Sequence, residues 1–159
     1  MRIVLVLCMM VCFAPYGQSQ CYQLIWEDEF TGTSLNSSNW TAQIGNGCPG
    51  LCGWGNNELQ YYTDRTQNIE VSNGTLKINA LAENFQGADY TSGRIRTINQ
   101  VDFALGRIEA RIKLPKGQGL WPAFWMLPTD NEYGIWPVSG EIDIMELVGN
   151  IPNRVYGTV

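Results

Sequence analysis

Glu141, Asp143 and Glu146 put three carboxylates within six residues of a segment, Gly140–Leu147, otherwise made of apolar strand formers. Burying acids beside Ile142, Ile144 and Leu147 is costly unless the acids have work to do. Side chains alternate across a strand, so Glu141 and Asp143 share one face while Ile142 and Ile144 take the other. A regular strand would send Glu146 to the apolar face. A β-bulge around Met145 adds one residue and returns Glu146 to the side of Glu141 and Asp143. The alternative is a solvated acidic edge strand.

With the bulge, Glu141 and Glu146 stand about four effective positions apart, roughly 13 Å between backbones at about 3.3 Å per residue. Two glutamates leaning toward each other close that to a carboxyl gap of about 5–6 Å. Carboxyl pairs about 5–5.5 Å apart support double displacement at an anomeric carbon; single displacement needs roughly 6.5–9.5 Å. Three clustered acids cannot all ionise cheaply, so repulsion raises at least one pKa. The chain has no His. That excludes Ser-His-Asp and Cys-His catalysis and most zinc sites, and points again to carboxylate chemistry.

Groups suited to a sugar surround the acids in sequence. Trp121, Ala123, Trp125 and Leu127 alternate onto one face of an expected strand, with Pro122, Phe124 and Met126 on the other. Indole rings pack on the apolar C–H faces of sugars and donate one N–H; ordinary core packing is the competing reading. Trp54–Tyr62 adds amide and carboxyl groups suited to hydroxyls, or is a turn followed by a strand. Arg94 and Arg96, two residues apart, share a face and offer fixed donors, or are a solvated pair.

The remainder of the chain must position these groups. Residues 1–20 read as a secretory signal: Arg2, an apolar run Ile3–Ala14, and small residues at Gly17-Gln18-Ser19. The run is too short for an anchor, which needs about 20 residues. The whole chain carries 10 basic and 15 acidic residues, net −5, and loss of Arg2 makes it one unit more negative. No Lys/Arg cluster stands out, which argues against nucleic acid and anionic membranes as partners. Cys8 and Cys12 fall in the leader. Cys48-Pro49-Gly50-Leu51-Cys52 reads as a small-loop disulfide in an exported protein, with a metal pair as the weaker alternative. Cys21 is then a free thiol or pairs beyond Val159. The ending Arg154–Val159 reads as a strand stopped midway, so a truncated chain is expected. Glycosylation sequons begin at Asn36, Asn39 and Asn73.

The coarse pattern is all-β, with expected strands at Gln23–Trp26, Ile69–Val71, Thr75–Ala82, Thr91–Thr97, Phe103–Ile112, Ala123–Leu127 and Glu141–Leu147. Asn73-Gly74 is a strong hairpin signal, and Gly45–Asn57 a long loop of the kind that borders clefts. One sandwich or jelly-roll domain follows from the pattern.

Together the motifs WGNNELQYY (Trp54–Tyr62), TSGRIRT (Thr91–Thr97), GRIEARIKLP (Gly106–Pro115), GLWPAFWML (Gly119–Leu127) and GEIDIME (Gly140–Glu146) resemble the laminarinase-like branch of glycoside hydrolase family 16, from about Trp26 to Val159. The resemblance implies a β-jelly-roll sandwich with a concave, Trp-lined substrate cleft, incomplete at the C-terminus, and makes residues 21–159 the N-terminal and central part of one hydrolase domain. It implies a retaining endo-hydrolase of β-1,3-glucan, with Glu141 as nucleophile, Glu146 as general acid/base, and Asp143 orienting the nucleophile. On that reading Glu146 keeps a proton and Glu141 stays ionised. Trp121, Trp125, Asn57 and Arg94 are the implied glycone contacts. The residue Met145 resembles the bulged branch, which holds endo-1,3-β-glucanases, agarases and carrageenases; WGNNELQYYT favours β-1,3-glucan over sulfated galactans. A β-glucan recognition protein and a transglycosylase share this scaffold. The resemblance implies no cofactor for catalysis, a structural calcium near Asp28-Glu29-Phe30, and a secreted monomer. The family domain normally continues past the catalytic strand, so the 159-residue form alone is expected to be unstable or inactive.

Overall fold

Asn73 and Gly74 both take positive φ, 54° and 67°, the two-residue turn whose twist matches paired strands. They join β3 (Ile69–Ser72) to β4 (Thr75–Ile78), with Ser72 opposite Thr75. Gln86-Gly87, at φ 50° and 83°, makes a similar turn between β5 (Leu81–Phe85) and β6 (Ala88–Ser92), with Phe85 opposite Ala88. The computed structural model describes residues 22–159. The other strands are β1 (Thr41–Ala42), β2 (Gln60–Tyr62), β7 (Ile95–Arg96), β8 (Ala123–Met126), β9 (Ile142–Leu147) and β10 (Val155–Thr158). They form four small sheets among the described residues: β1 with β7, β3 with β4, β2-β6-β5 and β10-β9-β8. The expected leader at residues 1–20, and Cys21, lie outside the described residues.

A buried polar node ties two of these sheets together. Asn68 and Thr91 have no solvent exposure. The Asn68 amide donates to the Asn79 carbonyl and to Thr91 Oγ1, each at 3.0 Å, while its oxygen accepts from Thr63 Oγ1 at 2.5 Å and Arg65 Nη2 at 2.9 Å. Arg65 also pairs with Glu83 of β5, and Thr91 donates to the same carboxylate. An Asn with every capacity met stabilises its surroundings; losing a partner would leave buried polar groups unpaired. Beside the node lie buried Ile69 and Val71. A Cβ on Gly93 would stand 2.6 Å from Ile69 Cγ1 and 3.1 Å from the Asn68 carbonyl, so only glycine lets the chain leaving β6 pass this close. The next residue is Arg94.

The structure corrects four of the expected strands. Thr75–Ala82 is two strands, because Asn79 breaks away to bond the Asn68 carbonyl with its N–H and the Gln67 carbonyl with its side chain. Thr91–Thr97 divides at Gly93-Arg94 into the end of β6 and β7. Gln23–Trp26 and Phe103–Ile112 form no strand. Strand preference acts through packing and pairing with neighbours, and these segments meet instead through rings: Trp26 packs edge-on against Phe103 at 6.0 Å and against Trp40 at 5.8 Å. The Arg154–Val159 strand is present as β10.

The Gly45–Asn57 loop is closed by a Cys48–Cys52 disulfide, which settles that pair against the metal reading. Gly47 has φ +83°, and a Cβ there would lie 2.0 Å from the Leu51 carbonyl oxygen. Leu51 N–H donates to the Gly47 carbonyl at 2.7 Å, and Gly53 N–H to that of Asn46 at 2.8 Å. Gly53 and Trp54, at φ 61° and 50°, then turn the chain and deliver the Trp54 indole.

Candidate active site

The bulge required by the spacing of the acids is present in β9. Ala123 of β8 faces Glu146 and Phe124 faces Met145, but Trp125 then faces Asp143, skipping Ile144. On the other side Tyr156 faces Glu146 and Thr158 faces Asp143, so three steps on β9 oppose two on β10. The extra residue on β9 is thus felt by both neighbours. Paired residues share a face, so Glu146 and Asp143 lie with Ala123 and Trp125, opposite Phe124 and Met145. The β8–β9 pairing runs past the strand ends, with Leu147 N–H donating to the Pro122 carbonyl at 3.1 Å and Gly149 N–H to that of Leu120 at 2.8 Å. A Cβ on Gly149 would sit 1.8 Å from the Gly117 carbonyl oxygen, so this approach also demands glycine.

Two indoles hold the two glutamates. Trp121 Nε1 donates to Glu146 Oε1 at 2.9 Å, and Trp136 Nε1 donates to Glu141 Oε2 at 2.8 Å. Trp121 lies two residues before Ala123 on the same face, which gives its ring the reach to Glu146. Glu141 enters β9 from a turn in which Gly140, at φ +83°, donates its N–H to the Pro137 carbonyl at 2.9 Å. Burial and the neighbouring charge of Asp143 push the Glu141 carboxyl above its ordinary value; hydrogen bonding with Asp143 and the charge of Glu146 add to this, while the Trp136 N–H opposes it. The sequence predicts such a rise from mutual repulsion; burial is the larger cause at Glu141. The upward shift falls on Glu141, the acid that the resemblance makes the nucleophile.

Arg94 joins the acid face to the Trp54 loop. Its guanidinium carbon lies 4.5 Å from the centre of the Trp54 ring and 5.0 Å from that of Trp125, within reach for cation–π attraction. Its Nε donates to Gln43 Oε1 at 2.7 Å. Tyr62, 5.6 Å from Trp54 between ring centres, donates its hydroxyl to Glu58 Oε2 at 2.7 Å; burial, then that bond, holds its pKa well above the usual phenol value. Trp121, Trp125, Arg94 and the three acids are therefore brought together through direct contacts or shared register. Asn57 is exposed, at φ 57°, three residues past Trp54, and makes no side-chain hydrogen bond among the described residues. Trp136, Trp54 and Gln43 also belong to the site, although the sequence did not assign them a role. For Trp136 the usable signal was an indole five residues before Glu141; for Gln43, fifty-one residues from Arg94, there was none.

Near Asp28, where the resemblance implies a structural calcium, the carboxylate accepts from Phe30 N–H at 2.9 Å, Trp40 Nε1 at 2.9 Å and Asn39 Nδ2 at 3.2 Å. Among the described residues no three Asp, Glu, Cys or His side chains gather as a metal site.

Residues 52–159 match the model of the glycosyl hydrolases family 16. Over 146 residues the chain is 47% identical to the glucan endo-1,3-beta-glucosidase A1 of Niallia circulans, covering 86% of this chain and 21% of that protein. The structure of the laminarinase from Rhodothermus marinus superposes with a TM-score of 0.80 at 45% identity, over 86% of this chain and 54% of the other. A 60-residue stretch is 57% identical to a beta-1,3-glucan-binding protein of Penaeus monodon, covering 38% of this chain and 16% of that protein. The chain thus spans about half the length of the solved laminarinase. Its strands are those of a β-jelly-roll. With the bulged acid strand, the match over residues 52–159 and this superposition, the chain belongs to glycosyl hydrolases family 16.

Proposed function

We propose that the protein is a secreted endo-hydrolase of β-1,3-glucan that acts with retention through a covalent glycosyl-enzyme. The observation that supports this most is the bulge that brings Glu146 back to the face of Asp143 and Trp125, each glutamate held by its own indole. Glu141 attacks the anomeric carbon while Glu146 gives a proton to the departing glycosidic oxygen; Glu146 then takes a proton from water as the water displaces Glu141. Asp143, next on the face of Glu141, orients the nucleophile. Trp121, Trp125, Asn57 and Arg94 receive the glycone, Arg94 by holding Trp125 as well as by donating to hydroxyls. Catalysis uses no cofactor. The protein works as a monomer on polysaccharide, away from nucleic acid and membrane; no helix of the described residues is long and apolar enough to cross a membrane.

Reducing-sugar release from laminarin tests this. Glu146→Gln is expected to lower kcat by about 10²–10⁴-fold, the usual worth of general acid/base catalysis, and Glu141→Gln at least as much. Equal release by the parent and Glu141→Gln would end the hydrolase reading. A second reading, glucan recognition without cleavage, is favoured by the stretch shared with the Penaeus monodon protein; it predicts glucan retention with no release by the parent. Transfer to an added acceptor oligosaccharide would instead identify a transglycosylase using the same intermediate.

A further inference from the structure

Trp136 is 64% exposed, so burial does little to explain where it sits. Its defining contact is polar: Nε1 donates to Glu141 Oε2 at 2.8 Å. The turn that carries it is tied at several points. Val138 N–H donates to the Ile135 carbonyl and Gly140 N–H to that of Pro137, both at 2.9 Å, and Ser139 Oγ donates to the Gly134 carbonyl. The indole is thus presented from a braced loop to an acid five residues onward. An indole N–H donates and cannot accept, so it favours the ionised carboxylate. It also occupies one oxygen of Glu141 and leaves Oε1 clear of it.

We propose that Trp136 is a positioning residue for Glu141, whose N–H fixes one carboxylate oxygen so that the other oxygen is turned to attack the sugar. This rests on the hydrolase reading. The indole is the one influence at Glu141 that favours the charged form, against burial and two neighbouring acids. It matches Trp121 at Glu146: each carboxylate has one oxygen held by a neutral donor, so orientation is gained without a cation that would quench a nucleophile.

Trp136→Phe keeps an aromatic ring and removes the donor. In the protein that carries this sequence, kcat on laminarin is expected to fall about 10–100-fold, the equivalent of one hydrogen bond to a charged group, with KM changed by less than about threefold. Loss of the N–H raises the Glu141 pKa, so the acid limb of the kcat–pH profile moves to higher pH. A rise in KM with kcat and the acid limb unchanged would make Trp136 a sugar platform and overturn the proposal. An indole ¹⁵N–¹H titration of the unmutated protein gives a second, activity-independent reading. The Trp136 Nε1–H signal is expected to move with pH, and that movement to disappear in Glu141→Gln. A signal that ignores pH, or titrates identically in both, refutes the positioning role even if laminarin is cleaved. A titrating signal in a protein that cleaves nothing would instead refute the hydrolase reading alone.

Discussion

Glu83 and Glu141 are both half-buried glutamates in hydrogen-bonded clusters, and their surroundings push them in opposite directions. Glu83 faces the Arg65 guanidinium and accepts from Thr91; those bonds, the Arg65 one foremost, hold its pKa below its ordinary value. Glu141 has two acids and an indole for company, and its pKa rises. The first arrangement is complete: Asn68, Thr63, Thr91, Arg65 and Glu83 satisfy one another around a fully buried amide. The second is unfinished on purpose, since a cation against Glu141 would tie up the lone pairs the chemistry needs. Satisfaction marks structure here, and tolerated repulsion marks function.

The largest effect should come from breaking the satisfied node. Asn68→Ala leaves Thr63, Thr91, Arg65 and the Asn79 carbonyl without their buried partner and should cost about 2–4 kcal/mol in a urea unfolding series. A loss under about 0.5 kcal/mol would mean the node is not the anchor described. A paired experiment sharpens the contrast. Glu83 stabilises the fold when ionised, an effect present above the ordinary glutamate range near pH 4.3 and lost as pH falls through its lowered value. Glu141 does the reverse: its native form binds protons more readily than the unfolded chain, so stability is lost as pH rises into and past that range. Glu83→Gln should therefore lower Tm at pH 7, whereas Glu141→Gln should raise it, both differences shrinking in acid. Changes of the same sign at pH 7 would dissolve the distinction between the two clusters. The smallest effect concerns the hairpin that carries Glu83 and Thr91. Gln86 holds φ 50°, a conformation that costs most L-residues roughly 1–2 kcal/mol. Gln86→Asn restores the favoured Asn-Gly turn and should add about 0.5–1 kcal/mol, read as a rise in the urea midpoint.

Some of this architecture was legible before any coordinates. The bulge followed from arithmetic: with a period of two, Glu146 could rejoin Asp143 only if β9 gained a residue, and the register supplies it. Asn73-Gly74 announced its hairpin because both residues tolerate positive φ. Gln86-Gly87 makes a similar turn, but its first residue gives no such signal. Phe103–Ile112 has the composition of a strand, yet Leu105 is 91% exposed and no partner strand lies alongside among the described residues. Composition reports what a segment tolerates, and pairing decides what it becomes.

The sequence by itself pointed to the family, the all-β character, the Cys48–Cys52 bridge and a face shared by Glu141, Asp143 and Glu146, while the placing of Trp125 on that face came from the pairing of β8 with β9. The first four depend on local order and on the two-residue period of a strand, both readable along the chain. Tertiary structure alone decided that Arg94 stacks on Trp54 and Trp125 while gripping Gln43, that Trp136 turns its N–H to Glu141, and that Glu141 bears the raised pKa. Those outcomes depend on distances between segments and on local burial, which are set when the chain packs.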